Sequence, residues 1–183
     1  MDIKISLLIP TLVSREAFYN KLINKLWWRG MYDEVELVRE IDNGEQSIGK
    51  KRNSLMARAT GEYICFIDDD DDVSDDYLTL LLYAAKSGAD CASLRGLYSV
   101  NGVFDRPFIH TLKCGEWYTA PEAYYRCPNH LNLIKKELVK NIPFEEKNFG
   151  EDGCWSMEIL HQQRLKSQHE IPQTLYYYNA RSK

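Results

Sequence analysis

A chain of 183 residues that is 44% hydrophobic and 12% aromatic is long enough for one domain with a core, and too apolar to be disordered. Its net charge of −4 leaves no broad basic surface for nucleic acid, and Lys50-Lys51-Arg52 is too short to serve as one. The five cysteines (Cys65, Cys91, Cys114, Cys127, Cys154) are scattered and form no CxxC, which argues against a zinc site or disulfide framework and for a reducing compartment. MDIKISLLIPT lacks the features of a signal peptide, and no apolar run approaches membrane-spanning length, so a soluble, cytoplasmic protein is expected.

Residues 3–9, IKISLLI, are β-branched and apolar and stop at Pro10, which predicts a buried strand ending in a loop. Ser14 is placed to cap a helix with Phe18, Leu22 and Leu26 on its apolar face and Gly30 as its stop. Val35 to Ile41 reads as a second strand, followed by the turn-prone Asp42-Asn43-Gly44. A helix is expected from Gly49 to Thr60, stopped by Gly61, with Lys50 and Lys51 on its solvated face. Glu62 to Ile67 reads as a third strand that runs directly into Asp68–Asp72. Ser74 is placed to cap the next helix, with Asp75 and Asp76 in its first turn and Gly88 at its end.

This β-α-β-α-β-α alternation predicts an α/β fold with a parallel, doubly wound sheet. Ligands of such sheets bind beyond the carboxyl ends of the strands, where Pro10, Thr11, Asp42 and Asp68–Asp72 all fall. The second half is less regular. A hairpin about Asn101-Gly102 is expected, then a short helix from Thr119 through Ala123 and Tyr124, a helix near Lys135 to Lys140, another from Glu151 to about Leu165, and a final strand in LYYYNARSK.

Five consecutive aspartates directly after a buried strand are costly without a positive partner. An EF-hand is excluded, because its glycine position holds Val73 and its closing glutamate position holds Thr79. A divalent cation shared with phosphates suits the run better, since Mg²⁺ and Mn²⁺ commonly take one or two carboxylates plus a diphosphate.

Taken in order, IPT after strand one, Asp42 after strand two, KKRNSLMARATGEYICFIDDDD and NFGEDGCW resemble the nucleotide-sugar transferases of glycosyltransferase family 2. The resemblance spans nearly the whole chain. It implies the GT-A fold, a Rossmann-like, mainly parallel sheet flanked by helices with a more irregular C-terminal acceptor half. One domain over 1–183 is expected, with 1–99 the nucleotide-binding half and 100–183 the acceptor half. By similarity, Pro10 and Thr11 contact the nucleotide, Asp42 holds its base, and Arg52 reaches the nucleotide or its phosphates. Asp68-Asp69-Asp70 matches the D-x-D position, which puts Asp69 near the ribose and Asp70 on Mn²⁺ or Mg²⁺. The extra aspartates leave the register open by one residue, so Asp68 and Asp71 stay in the set.

Glu151-Asp152 matches the family's ED motif, which implies Asp152 as the general base of an inverting transfer and Glu151 as its support. Trp155, Trp117 and His130 are acceptor-side candidates, with core or rim positions as the plain alternative. Arg181 is placed to close over the diphosphate or to lie in a frayed tail. The chain stops soon after the ED helix and carries Leu165 where the QxxRW motif needs tryptophan. Single-sugar transfer to a small soluble acceptor, or with help from a partner protein, is therefore expected. Trp27-Trp28 is either a helix end packed into the core or an interface, including one with a second copy. UDP is the donor nucleotide by analogy with relatives. The competing readings are a nucleotidyltransferase, disfavoured because PTLVSRE has no glycine, and a nucleotide-sugar binding module without catalysis.

Overall fold

The computed structural model describes residues 4–28 and 32–180. Gly30 and Arg181 lie outside them. In chain order the elements are β1 (Ile5–Leu12), a 3-10 turn (Val13–Arg15), α1 (Glu16–Leu26), β2 (Val35–Asp42), α2 (Ile48–Arg58), β3 (Tyr63–Phe66), β4 (Asp72–Val73) and α3 (Tyr77–Lys86). There follow β5 (Cys91–Ala92), β6 (Leu94–Val100), β7 (Val103–His110), β8 (Tyr118–Thr119), β9 (Tyr124–Arg126), β10 (Ile134–Lys135), α4 (Lys136–Val139), α5 (Glu151–His161), β11 (Gln168–His169) and β12 (Thr174–Ala180).

These strands form two sheets. The first has the order β11-β5-β10-β3-β1-β2, with β1 parallel to both β2 and β3, and β10 antiparallel to β3 and β5. The second has the order β4-β12-β6-β7-β9-β8. β1 is buried on both faces, as a central parallel strand must be. Its side chains alternate: Ile5, Leu7 and Ile9 pack with Leu22 and Leu26 of α1 and Leu78 and Leu81 of α3, while Leu8 packs with Leu55 and Met56 of α2 and Trp155 and Ile159 of α5. The sheet is therefore covered on both faces, as the alternating pattern predicts. Gly61 lets the turn before β3 press against β1, because a Cβ there would stand 2.7 Å from the Ser6 backbone nitrogen.

Several local expectations hold. Gly88 follows α3 in a left-handed conformation. Ser47, which the sequence reading did not single out, caps α2 by accepting the Lys50 N–H. Asn101 and Gly102 have φ of 51° and 80°, as a type I′ hairpin turn requires. Others fail. Ser14 lies inside the 3-10 turn, and Arg15 precedes α1 without a side-chain cap. Ser74 does not cap α3; its carbonyl accepts the Tyr77 N–H and its hydroxyl is buried without a partner. Asp75 and Asp76 precede that helix rather than forming its first turn. The helix expected from Thr119 to Tyr124 is instead the pair β8 and β9, because Pro121 interrupts the segment and the flanking aromatic residues pair across strands, Tyr118 stacking on Tyr125 at 4.8 Å. α5 ends at His161, short of Leu165. Trp27 packs against the core while Trp28 is exposed. Among the described residues no helix is long and apolar enough to cross a membrane.

Trp155 corrects an acceptor-side expectation. One helical turn beyond Asp152, it faces the sheet instead of the crevice and is 2% exposed. It stacks on Phe144 at 4.5 Å, and its indole N–H donates to the Ile142 carbonyl at 2.8 Å. Trp155→Ala should cost about 3–5 kcal/mol of stability by urea denaturation, and Trp155→Phe much less. A near-neutral Trp155→Ala would return this side chain to the surface.

Candidate active site

The carboxyl ends of β1, β2 and β3 open into one crevice, and the aspartate run is shared out among different partners there. Asp69 is buried, accepts the Thr11 hydroxyl and receives Arg15 Nη1 at 3.0 Å. Asp70 meets the same Arg15 at 3.2 Å and stays partly open. Burial, with Asp68 and Asp69 nearby, raises the Asp70 carboxyl above its ordinary value despite Arg15. Asp71 accepts from the Tyr176 hydroxyl at 2.9 Å and the Asn179 N–H at 3.2 Å, which docks β12 onto the loop. Asp72 pairs with Lys25 at 3.0 Å.

Asp68 points the other way. Its Oδ1 lies 3.0 Å from Arg52 Nη2, while Arg52 Nε reaches Glu151 Oε1 at 3.3 Å. Burial raises Asp68, but the Arg52 guanidinium and the neighbouring His130 ring together outweigh it and hold the carboxyl well below the usual range. Arg52 and Glu151 are both buried. Sequence reasoning sent Arg52 to the nucleotide; in the structure its Nη2 and Nε join the end of β3 to the start of α5, because the first turns of α2 pack against the segment before α5. Asn53 of α2 exchanges two hydrogen bonds with the Phe144 backbone, at 2.8 and 2.9 Å. Gly49 donates to the Lys147 carbonyl, and a Cβ there would overlap Glu145.

His130 stands between the two groups of acids. Its Nε2 is 3.7 Å from Asp68 Oδ2 and its Nδ1 is 3.8 Å from Asp152 Oδ2. It is 5% exposed, and neither ring nitrogen has a hydrogen-bond partner. Asp152, in the first turn of α5, is the more open member of the ED pair.

Two cavities flank this centre. One of about 290 Å³ is lined by Pro10, Thr11, Arg15, Gln46, Lys51 and Asp69, among others. Asp42 stands behind its wall. It accepts from the Gly44 and Gln46 N–H groups at 3.0 and 2.8 Å and pairs with Lys51, whose Nζ also donates to the Thr11 carbonyl at 2.9 Å. Burial opposes the Asp42 charge, yet these bonds lower its carboxyl below the ordinary value. Lys51, expected on a solvated helix face, is buried because α2 turns it toward β1 and Asp42. The other cavity, also about 290 Å³, is lined by Tyr98, Trp117, Arg126, His130, Asp152 and Tyr178, among others.

Comparison with known proteins follows this geometry. The family model described as glycosyl transferase family 2 matches residues 29–157. The chain belongs to that family. Among solved structures it is similar to S. aureus TarS 1-349 in complex with UDP, with a TM-score of 0.67 and 20% identity over 97% of this chain and 61% of that one. The complex of TarS 1-349 with UDP-GlcNAc gives a TM-score of 0.64 and 18% identity over 99% of this chain and 60% of that one. This family 2 chain therefore spans about three fifths of the length of those structures, and their likeness establishes the GT-A type of fold. No curated protein matches the sequence significantly.

Of the site residues expected for this family 2 member, Pro10, Thr11, Asp68, Asp69, Asp70, Glu151, Asp152 and His130 share the crevice, and Trp117 lines its far cavity. Arg15, Lys51, Arg126, Tyr98 and Tyr178 were missed. Arg15, just past the first strand, carried a usable signal as a cation beside an expected phosphate site. The two tyrosines and Arg126 come together only through the pairing of β12, β6, β7 and β9.

His110, on the wall of the far cavity, is buried; its Nδ1–H donates to Asn132 Oδ1 at 3.0 Å. Burial lowers its pKa to about 4, the Asn132 bond only partly opposing. With an unfolded value near 6.5, the unfolded chain binds more protons across this window. Stability from this group is full above about pH 6.5 and falls by up to roughly 3 kcal/mol as pH drops to about 4. Urea titrations should show that His110→Gln removes that part of the slope; identical slopes in both proteins would refute it.

Proposed function

We propose that this family 2 chain moves one sugar from a nucleotide-sugar donor, a UDP-sugar, to an acceptor hydroxyl with inversion, using a divalent cation and Asp152 as general base. The observation that carries the proposal is the buried Arg52, which ties Asp68 at the end of β3 to Glu151 beside Asp152 and so builds the aspartates and the ED pair into one site. The TarS structures hold UDP and UDP-GlcNAc, which supports the donor class.

In this account the nucleotide occupies the cavity of Pro10, Thr11, Arg15 and Lys51, with Asp69 at its inner wall. The fit to Mn²⁺ or Mg²⁺ rests on charge. The carboxylates of Asp68, Asp69, Asp70, Glu151 and Asp152 outnumber the guanidinium groups of Arg15 and Arg52 that stand among them. Asp70, partly open and raised by its acidic neighbours, is the residue placed to ligate a cation. Among the described residues no three His, Cys, Asp or Glu side chains converge on one point, so donor phosphate oxygens would complete the coordination. Bound there, the metal supplies positive charge for the departing diphosphate. Arg15 adds charge on the same side.

Asp152 accepts the proton of the acceptor hydroxyl as that oxygen attacks the anomeric carbon opposite the diphosphate, which inverts the configuration. Glu151, held by Arg52, fixes the helix start that presents Asp152, and His130 packs beside Asp152 and Asp68.

Calorimetric titration with UDP, GDP and dTDP, with and without Mn²⁺, tests the donor side. Metal-dependent UDP binding that Asp70→Ala abolishes is expected; unchanged binding in that variant rejects the metal assignment. Asp152→Asn should keep UDP binding and lose at least about a hundredfold in transfer rate. Full transfer by Asp152→Asn would remove it as the base.

A further inference from the structure

Arg126 is the arginine in the wall of the far cavity, which it shares with Asp152. It ends β9, half-buried, with its guanidinium carbon 5.0 Å from the Trp117 ring centre and 5.2 Å from that of Tyr124. Its Nη1 donates to the carbonyls of Tyr118 and Tyr125, at 2.8 Å each. Among the described residues these are its hydrogen bonds, and it makes no ion pair. Arg15, Arg52 and Arg106 by contrast each meet a carboxylate. Burial lowers its affinity for a proton, and Tyr124, Cys114 and Asp152 offset this only in part.

A guanidinium fixed through one nitrogen and flanked by aromatic faces keeps its remaining N–H edge for a planar or tetrahedral anion. The same cavity holds Asp152 and the buried His130, whose ring nitrogens make no hydrogen bond and lie 3.8 Å from Asp152 and 3.7 Å from Asp68. Tyr98 and Tyr178, stacked at 5.3 Å, add an aromatic wall of the kind that covers the apolar face of a sugar ring. The acids of the crevice repel an anion, so an anionic ligand there needs a cation of its own, and Arg126 is that cation.

We infer that the acceptor is a sugar or polyol bearing a carboxylate or phosphate, with the anion on Arg126, the ring or chain along Tyr98, Tyr178 and Trp117, and a hydroxyl toward Asp152. The inference rests on the glycosyl-transfer reading above and adds the acceptor's charge.

The test uses saturation-transfer NMR on the full chain loaded with UDP and diamagnetic Mg²⁺, which blocks the donor site. The probes are matched pairs: methyl glucoside against methyl glucuronide for the carboxylate arm, and glucose against glucose 6-phosphate and glycerol against glycerol 3-phosphate for the phosphate arm. At least one anion should bind about tenfold or more tightly than its neutral partner, and Arg126→Gln should erase the difference. Because Nη1 also links β8 to β9, melting curves check the fold of the variant. Should Arg126→Gln not fold, Arg126→Lys, which lacks the fork, should lose at least about threefold for the anion. Equal binding within every pair, or a preference that survives Arg126 substitution, overturns the inference. UDP binding without an anion preference defeats this inference alone; an Arg126-dependent preference in a protein that does not bind UDP defeats the transfer reading instead.

Discussion

At the centre of the molecule one arginine side chain bonds two acids that the chain brings from opposite halves of its sequence. Arg52 lies between Asp68 and Glu151, with its guanidinium carbon 5.3 Å from the Phe66 ring centre and 5.9 Å from that of Phe144. Burial works against its charge, but Asp68 and Glu151 more than compensate and hold its proton more firmly than usual. Removing Arg52 would leave Asp68 and the buried Glu151 without their shared cation, at a cost of about 3–5 kcal/mol. The position of α5 relative to the sheet, and with it the place of Asp152, depends on this triad and on the Asn53 bonds to Phe144 one residue along.

The five aspartates are neither a solvated face nor a single metal cage. Asp68 belongs to the Arg52 triad, Asp69 to Thr11 and Arg15, Asp71 to Tyr176 and Asn179, and Asp72 to Lys25. Asp68 and Asp71 show how strongly partners decide. Burial raises both, yet Asp68 has a facing guanidinium and is held low, whereas Asp71 has neutral donors and the nearby Asp68 charge and is pushed well above its ordinary value. Tyr176 bridges them, accepting the Asp68 N–H and donating to Asp71, so the second sheet is anchored on the same loop that ends β3.

The first half of the fold was legible because its signals are local. An apolar run closed by Pro10, strands leading into Asp42 and Asp68, and helices between them follow from periodicity and short connections. The KKRN segment was recognisable as a motif, but its physics was not. Lys51 reads as part of a solvated face, and Arg52 as a phosphate contact, until β1, Asp42 and Glu151 surround them. Trp155 was misplaced for a related reason, since spacing from Asp152 alone cannot tell the sheet-facing side of α5 from the crevice-facing side. The second sheet was least legible. Its strands pair across large sequence separations, and β8 and β9 are too short to show a period.

The central claim is that the β3 aspartates and the ED pair serve one donor and one cation. Diffraction from crystals grown with UDP and Mn²⁺, collected at the manganese absorption edge, tests it most directly. The account predicts one anomalous peak within coordinating distance of the Asp70 carboxylate, shared with the UDP diphosphate, and the nucleoside in the cavity of Thr11 and Lys51. Manganese elsewhere, or UDP bound with no manganese at Asp70, would contradict it.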